Sequence, residues 1–209
     1  MTSPLRPFFV KSFDTLFTRH SPGWVDLALD AASEQRELIA SDLAKKYRAL
    51  SPEGINDELL AGYIETDAAF FGTMLYRIEH AIFRRDPAHP ALAFLAQIMR
   101  VRTGMEIYYS SEIGPRFMVM HGTGIVLGPR NRIGSDFTIY QGVTLGQRHQ
   151  YSSHERMEIG DRCTIFAGAK LLGSMKIGDD VRVAANAVLL TDAESNATYG
   201  GVPAVKISR

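Results

Sequence analysis

The feature of this sequence that most limits its fold is a six-residue spacing of aliphatic side chains through its second half. An α-helix repeats every 3.6 residues and a β-strand every two, so neither produces a period of six. A coil of three short strands per turn does, because each hexapeptide then buries one aliphatic side chain inside a triangular prism. Three runs carry this spacing: Ile107, Ile113, Val119 and Ile125; Leu127, Ile133, Ile139 and Leu145; and Ile159, Ile165, Leu171, Ile177, Val183 and Leu189.

Two interruptions divide these runs. The second run is displaced by two residues from the first, and the displacement falls between Val119 and Leu127, beside His121. The other interruption, "GQRHQYSSHERME" (146–158), is polar and longer than one repeat, so we expect a loop that leaves the prism. Loops on a rigid scaffold commonly carry functional residues. Both interruptions are therefore candidate functional segments.

The chain before Gly104 has a helical pattern instead. The segment "DPAHP" (86–90) separates two predicted helices, and Pro90 suits the first turn of the second one. Gly104 is a plausible end for that helix. The inward-facing residues predicted for the two helices are Phe71, Leu75, Ile78 and Ile82, and then Leu95, Ile98 and Met99.

Earlier in the chain, "SEQRELIASDLAKKYRAL" (33–50) predicts an amphipathic surface helix, whereas the first two dozen residues have no clear pattern. We predict an α+β fold in two domains. An α-helical domain occupies residues 1–104, and a β-helix of hexapeptide repeats occupies residues 105–209.

Composition limits the partners. The chain has 209 residues with 23 Lys plus Arg and 23 Asp plus Glu, and this zero net charge argues against nucleic acid or an anionic membrane as partner. A single cysteine, Cys163, excludes an intramolecular disulfide, and its place on a repeat predicts a buried structural thiol. We see neither a signal peptide nor an apolar stretch long enough to span a bilayer. We expect a soluble cytoplasmic protein with small-molecule partners.

Five motifs resemble those of the bacterial serine O-acetyltransferases: "YRIEHAIF" (76–83), "HGTGIVLG" (121–128), "TIYQGVTLG" (138–146), "FAGAKLLG" (166–173) and "GGVPAVKI" (200–207). The resemblance covers roughly residues 70–209. It implies a helical N-terminal domain on a left-handed parallel β-helix, assembled as a homotrimer or a dimer of trimers. It also implies acetyl-CoA as co-substrate, bound in a groove between neighbouring coils, and a place in cysteine biosynthesis.

The resemblance also assigns roles to residues. His121 occupies the position of the catalytic histidine, and Glu106, in "EIYY", that of the carboxylate that orients it. Imidazole suits this chemistry because it titrates near neutrality, and a carboxylate on its other nitrogen fixes the tautomer. The alternatives are a polar histidine at a coil corner and a solvated glutamate. The expected acetyl-CoA contacts are Gly146, Ala167, Ala185, Lys170 and Lys206.

The sequence departs from the family where the serine would be recognised. Met120 replaces an aspartate just before the catalytic histidine, and Glu155 and Arg156 replace an Arg-His pair in the loop. An Asp-Pro-Ala segment of the helical domain has no counterpart in "SPEGINDELLAGYIE" (51–65). We therefore expect O-acetylation of L-serine or a related small hydroxyl compound, and the alternative is an acyltransferase with a different acceptor.

Two further hypotheses come from other classes of protein. Some trimeric hexapeptide β-helices bind zinc through three histidines, and His121, His149 and His154 are of the right type. Both loop histidines lie off the regular repeats, so we predict no metal. A purely structural role, as the partner of a sulfhydrylase, would need the family's isoleucine-ended tail. The sequence ends in "KISR", so we do not expect that complex.

Overall fold

The structure, a computed structural model, describes residues 3–16, 23–149 and 155–208. Within these residues, helices come first and short strands follow. The helices are α1 (Arg6–Leu16), α2 (Gly23–Glu34), α3 (Arg36–Lys46), α4 (Asp57–Thr66), α5 (Ala68–Arg85) and α6 (Ala91–Thr103), with one turn of 3-10 helix at Pro52–Gly54.

The strands form three sheets, which are the three faces of a prism. Sheet A contains β1 (Glu106–Ile107), β4 (Val126–Leu127), β7 (Thr144–Gly146), β10 (Lys170–Leu172) and β13 (Val188–Leu189). Sheet B contains β2 (Glu112–Ile113), β5 (Arg132–Ile133), β8 (Met157–Ile159) and β11 (Met175–Ile177). Sheet C contains β3 (Met118–Met120), β6 (Thr138–Tyr140), β9 (Thr164–Ile165), β12 (Arg182–Val183), β14 (Thr198–Gly201) and β15 (Ala204–Ser208).

Each strand up to β10 pairs in parallel with the strand three places later, so one coil is three strands. The register aligns the aliphatic runs, with Ile107 beside Leu127 and Leu127 beside Leu145. Every member of the three runs is buried, with at most 6% of its surface exposed. The predicted helical region followed by a parallel β-helix is confirmed, because the six-residue period places one aliphatic side chain per face inside the prism.

The two helices predicted from the clearest patterns are also confirmed. Phe71, Leu75, Ile78 and Ile82 are all buried on α5. Gly104 ends α6 in the left-handed region, with φ of +67°, which glycine adopts without a steric penalty from a Cβ. The first strand begins at Glu106. The buried apolar side chains of the helices and the prism belong to one continuous core.

One expectation for the N-terminal part was wrong, and one segment without a specific prediction contains a helix. The unpatterned first two dozen residues include α1, whose Phe9 and Phe13 are buried. The segment predicted as one surface helix is interrupted at Gln35, and α3 begins after it. Five residues of α3 are buried, including Asp42, because α3 packs against α5 and β3 rather than facing solvent on one side. Because the buried residues of α3 include the charged Asp42, the sequence does not show which face of this helix is buried. No helix within the described ranges has the length and hydropathy needed to cross a membrane.

Candidate active site

The connection between β3 and β4 contains the two-residue insertion that displaces the aliphatic runs. Met120 pairs with Tyr140 before it, and Val126 pairs with Thr144 after it. Residues 121–125, here called the His121 corner, thus occupy the space that residues 141–143 occupy one coil later. The Gly142 N–H donates to the Thr123 carbonyl over 2.9 Å, which aligns the ends of the two connections. The inserted residues are therefore His121 and Gly122.

Both inserted residues have left-handed backbone conformations, with φ of +66° at His121 and +87° at Gly122. A Cβ on Gly122 would lie 2.8 Å from Met105 Sδ and 3.3 Å from Ala69 Cβ, so this position, with its positive φ, favours glycine. Gly122 is buried, whereas His121 is exposed and its ring has no hydrogen bond to any described residue. Seven other non-glycine residues of the described prism also have positive φ, so this conformation is a feature of the turns between strands and does not by itself mark a functional residue. The imidazole is free to meet a substrate.

Glu106, predicted to orient His121, lies on sheet A at the beginning of the prism. Its carboxylate is 3.5 Å from Arg100 Nη1 and accepts a hydrogen bond from the Tyr108 hydroxyl. Burial raises the pKa of Tyr108, and the Glu106 carboxylate raises it further. The described contacts of Glu106 do not include His121. The pairing of these two residues therefore stays a prediction.

A row of small residues continues from the His121 corner along the same edge of the prism. Gly124, Gly142, Gly168 and Asn186 occupy equivalent positions on successive coils, all with positive φ. Their preceding residues include Ala167 and Ala185, and the Asn186 N–H donates to the Ala167 carbonyl over 2.9 Å. Ala185 is exposed and Ala167 half-buried. The corner geometry explains the small residues, which also leave the backbone open to an extended ligand.

The other residues predicted to contact acetyl-CoA are spread more widely. Gly146 ends β7 on sheet A, and the Lys170 ammonium of β10 donates to the Gly142 carbonyl in the small-residue row. Lys206, on β15, forms an ion pair with Glu194 at 2.7 Å. Lys170 thus lies beside the row, while Lys206 has a carboxylate partner that a phosphate would have to displace.

Of the three residues predicted to read the acceptor, only Met120 is near His121 in the single chain. Glu155 accepts a hydrogen bond from the Arg148 N–H at 2.6 Å, and Arg156 pairs with Glu158 at 2.8 Å. These two follow the sheet A strand β7 and precede the sheet B strand β8, whereas His121 lies between sheets C and A. His149 is exposed on that loop, and His154 lies outside the described residues.

Two clefts flank the prism beneath the helices. One, of about 1370 Å³, lies over sheet B and is lined by none of the predicted site residues. The second, here called the sheet-C cleft, has about 780 Å³ and lies between sheet C and the segment from α3 to Pro52. It reaches Met118 and Tyr140, which lie on the strands that lead to the His121 corner and its successor. Sequence reasoning missed this cleft because its walls come from distant segments.

The remaining candidates have structural explanations. Cys163 is fully buried and its Sγ donates to the Gly178 carbonyl at 3.1 Å, and burial raises the pKa of its thiol to about 11. His80 makes a 2.7 Å hydrogen bond through Nδ1 to the Tyr109 carbonyl. Among the described residues, no three His, Cys, Asp or Glu side chains are grouped so that they could hold a metal ion.

Comparison with known proteins identifies the relatives of this chain. No protein-family model matches it. A serine acetyltransferase of Helicobacter pylori strain J99 is 40% identical over 136 residues, which are 65% of this chain and 79% of the relative. A serine acetyltransferase of Staphylococcus aureus strain Mu50 is 39% identical over 140 residues, which are 67% of this chain and 65% of the relative.

Solved structures agree with these relatives. A soybean serine acetyltransferase complexed with serine superimposes with a TM-score of 0.76 at 28% identity, over 88% of this chain and 74% of the other. A serine acetyltransferase from Brucella abortus strain S19 in complex with coenzyme A gives 0.75 at 25% identity, over 89% and 72% of the chains. Sequence identity and fold thus agree, and this chain belongs to the serine acetyltransferase family of enzymes.

Proposed function

We propose that this enzyme transfers the acetyl group of acetyl-CoA to the hydroxyl of L-serine or a related small hydroxyl compound, with His121 as general base. The observation that carries the proposal is the exposed His121 imidazole on the inserted corner of a chain from this family. Solved members of the family include complexes with serine and with coenzyme A.

The chemistry follows from the position of the ring. The His121 imidazole removes the hydroxyl proton while the oxygen attacks the thioester carbonyl. The tetrahedral intermediate then collapses with cleavage of the C–S bond, and the imidazolium returns its proton to the departing thiolate. His121 is exposed at the corner of the prism, which leaves its ring accessible to both substrates.

Glu106 would orient the ring through its second nitrogen, as a carboxylate does for other catalytic histidines. For this, the carboxylate must leave Arg100, with which it forms a partly exposed ion pair at 3.5 Å. Partly exposed pairs of this kind contribute roughly 0–1 kcal/mol, so the exchange has a small cost. Glu106→Gln should then lower kcat more than it raises KM for acetyl-CoA.

Acetyl-CoA would lie along the small-residue row, with Ala167 and Ala185 against its pantetheine arm and Gly146 beside the thioester. Lys170 and Lys206 would approach its phosphates, and Lys206 would exchange Glu194 for a phosphate. Small side chains allow close approach to the backbone, which offers hydrogen bonds to the amides of the arm.

We also propose that the enzyme assembles as a homotrimer, alone or as a dimer of trimers, and acts in the cytoplasm in cysteine biosynthesis. The loop residues Glu155 and Arg156 lie on a different prism edge from His121 within one chain. A neighbouring protomer in such an assembly would bring them to the corner. Sedimentation equilibrium tests the assembly, and a stable active monomer would contradict it.

The experiment that tests the reaction measures thiol release from acetyl-CoA with L-serine, homoserine, amino alcohols and sugars. Loss of a general base typically costs a hundred- to ten-thousand-fold in rate, and we expect a loss of about that size in His121→Ala. His89→Ala is the control, since His89 lies before α6 in the helical region, away from the corner. Undiminished turnover in His121→Ala would rule out this mechanism.

A further inference from the structure

Gln141 differs in size from the other residues that precede the small-residue row. On successive coils these residues are Thr123, Gln141, Ala167 and Ala185. The carbonyl of each of the first three accepts a hydrogen bond, over 2.9 Å, from the N–H of the row residue on the next coil. Alanine occupies two of the four positions, so the corner itself does not need a side chain as long as glutamine.

The amide oxygen of Gln141 is unpaired. Oε1 is buried, and it has no hydrogen-bond partner among the described residues. Most buried polar side-chain atoms in folded proteins do have a partner, because an unpaired one has lost its water without compensation. The residue as a whole is only half-buried, and the last torsion angle of glutamine is soft, so a small rotation can turn the oxygen toward a bound molecule. This acceptor therefore indicates a donor that a ligand supplies.

Gln141 lies next to the proposed general base, one coil further along the prism. Met120 and Tyr140 are register partners on sheet C, and His121 and Gln141 directly follow them. Neighbouring strands are about 4.8 Å apart. The Gln141 side chain therefore begins roughly one strand spacing from the residue that has to meet the thioester.

The proposed path of acetyl-CoA passes Gln141 before it reaches the two alanines. The thioester carbon must lie beside the His121 ring for the hydroxyl to attack it, and the pantetheine arm then continues past Gln141 toward Ala167 and Ala185. A two-carbon link joins the thioester sulfur to the nearest amide nitrogen of acetyl-CoA. The length of this link is comparable to the strand spacing of about 4.8 Å. The N–H nearest the thioester therefore lies at the level of Gln141.

The backbone acceptors of this coil already have donors. The Gln141 carbonyl accepts from the Gly168 N–H, and the Gly142 carbonyl accepts from the Lys170 ammonium. One coil earlier, the Thr123 carbonyl accepts from the Gly142 N–H. Of the acceptors at this corner, the unpaired Oε1 therefore gains most from an additional N–H.

We propose that Gln141 binds acetyl-CoA, with its Oε1 accepting a hydrogen bond from the amide N–H nearest the thioester. This inference rests on the proposed acetyl transfer and on the proposed path of acetyl-CoA along the small-residue row. The contact would hold the thioester beside the His121 ring, since only a two-carbon link separates the amide from the sulfur.

The test compares acetyl-CoA with an analogue in which an ester oxygen replaces this N–H. The two donors have nearly the same shape, but only acetyl-CoA can donate the hydrogen bond. With the wild-type enzyme and L-serine as acceptor, we expect kcat/KM for acetyl-CoA to exceed that for the analogue by about tenfold, the factor given by one hydrogen bond. Equal values for the two donors would overturn the inference.

The variant Gln141→Met locates the effect, because methionine has a similar length and lacks the amide. It should lose about tenfold in kcat/KM with acetyl-CoA and should use the two donors equally well. Gln97→Met is the matched control and should keep the preference, since Gln97 is exposed on α6 and is absent from the described lining of both clefts. A preference that survives in Gln141→Met would contradict the assignment, and so would a variant in which only KM for L-serine rises.

Stability distinguishes this contact from a structural role. Because Oε1 has no partner in the described chain, Gln141→Met should unfold at the same urea concentration as the wild type or at a higher one. Saturating coenzyme A should raise this midpoint less in the variant than in the wild type, since a ligand stabilises the folded state according to its affinity. A lower midpoint for the unliganded variant would mean that Gln141 stabilises the corner itself, which overturns the inference.

Calorimetric titration with coenzyme A, which carries the same amide, separates this inference from the proposed function. Coenzyme A that binds the wild type about tenfold more tightly than Gln141→Met, without acetyl transfer to any acceptor, would support the contact and overturn the acetyl transfer. Acetyl transfer to L-serine at equal kcat/KM from both donors would support the proposed function and overturn this inference.

Discussion

Arg77 of α5 and Asp42 of α3 form a buried ion pair with two hydrogen bonds, Nε to Oδ2 at 2.8 Å and Nη2 to Oδ1 at 3.1 Å. Both side chains also bind the first coil of the prism. Arg77 donates to the carbonyls of Ile113 and Gly114 at 2.6 and 2.7 Å, and Asp42 accepts from the Phe117 N–H at 2.7 Å. The pair therefore attaches two helices to the coil that ends in His121.

Removal of one member of this pair should destabilise the protein strongly. Arg77→Met leaves the Asp42 carboxylate buried without its counter-ion, and such changes cost about 3–5 kcal/mol. Urea denaturation followed by circular dichroism measures the free energy of unfolding. The control is Arg84→Met on the same helix, where the side chain is exposed and the cost should be small. Equal losses in the two variants would mean that the pair does not hold the helices to the prism.

Glu79 should make stability depend on pH. Its side chain is fully buried, and neither carboxylate oxygen has a hydrogen-bond partner among the described residues. Burial raises the pKa of Glu79 well above its usual value, and Arg100 only partly opposes this shift. In the unfolded chain the carboxyl ionises near pH 4.3. Above that pH the unfolded state loses its proton first, so the contribution of Glu79 to stability is fully present below about pH 4 and is lost as pH rises toward the raised pKa.

The substitution Glu79→Gln removes this titration. Between the unfolded and folded pKa values, the variant should gain up to about 1.4 kcal/mol relative to wild type for each pH unit. Denaturant melts at several pH values measure the difference, with Glu65→Gln, exposed on α4, as control. Parallel stability curves for wild type and Glu79→Gln would contradict the burial of an uncompensated carboxyl.

The Cys163 thiol should be unreactive in the native enzyme. Its thiol lies inside the prism, donates to the Gly178 carbonyl and has its pKa raised to about 11 by burial, so little reactive thiolate forms near neutral pH. We expect no reaction with 5,5′-dithiobis(2-nitrobenzoate) until urea unfolds the protein, and full acetyl transfer by Cys163→Ala. Inactivation of the folded enzyme by the reagent, at the rate of thiol modification, would restore a role for this cysteine.

Gly122→Ala should disturb the corner that presents His121. The φ of +87° disfavours any L side chain, and the new methyl would lie 2.8 Å from Met105 Sδ. We expect a loss of roughly 1–3 kcal/mol in stability and a larger relative loss in kcat, since small displacements of a catalytic group can cost about a hundredfold. Gly62→Ala on α4 is the control, because its added methyl meets nothing within 4 Å and should stabilise the helix slightly. An unchanged kcat in Gly122→Ala would mean that the His121 corner accommodates the methyl group without displacing His121, which contradicts this prediction.

The candidate site was predictable only in part. The phase shift in the aliphatic runs marked the segment of His121, but it did not show that His121 and Gly122 are the two inserted residues. That assignment needed the hydrogen bond between Gly142 and Thr123 on adjacent coils. Glu106 was assigned by resemblance alone, and its observed partners are near it in the sequence: Tyr108, two residues later, and Arg100, near the end of α6.

The sequence by itself determined the prism, because each hexapeptide repeats the same local packing and so leaves a period that a single chain reveals. It also determined the helices with regular apolar stripes, and the position of the corner where the period changes. Tertiary structure alone decided how α3 lies against the prism, which buried charges meet, and which side chains face one another across sheet C. Lys45, Tyr140 and Arg182 share a cleft because packing brings their segments together, and contacts between distant segments leave no periodic trace in the order of residues.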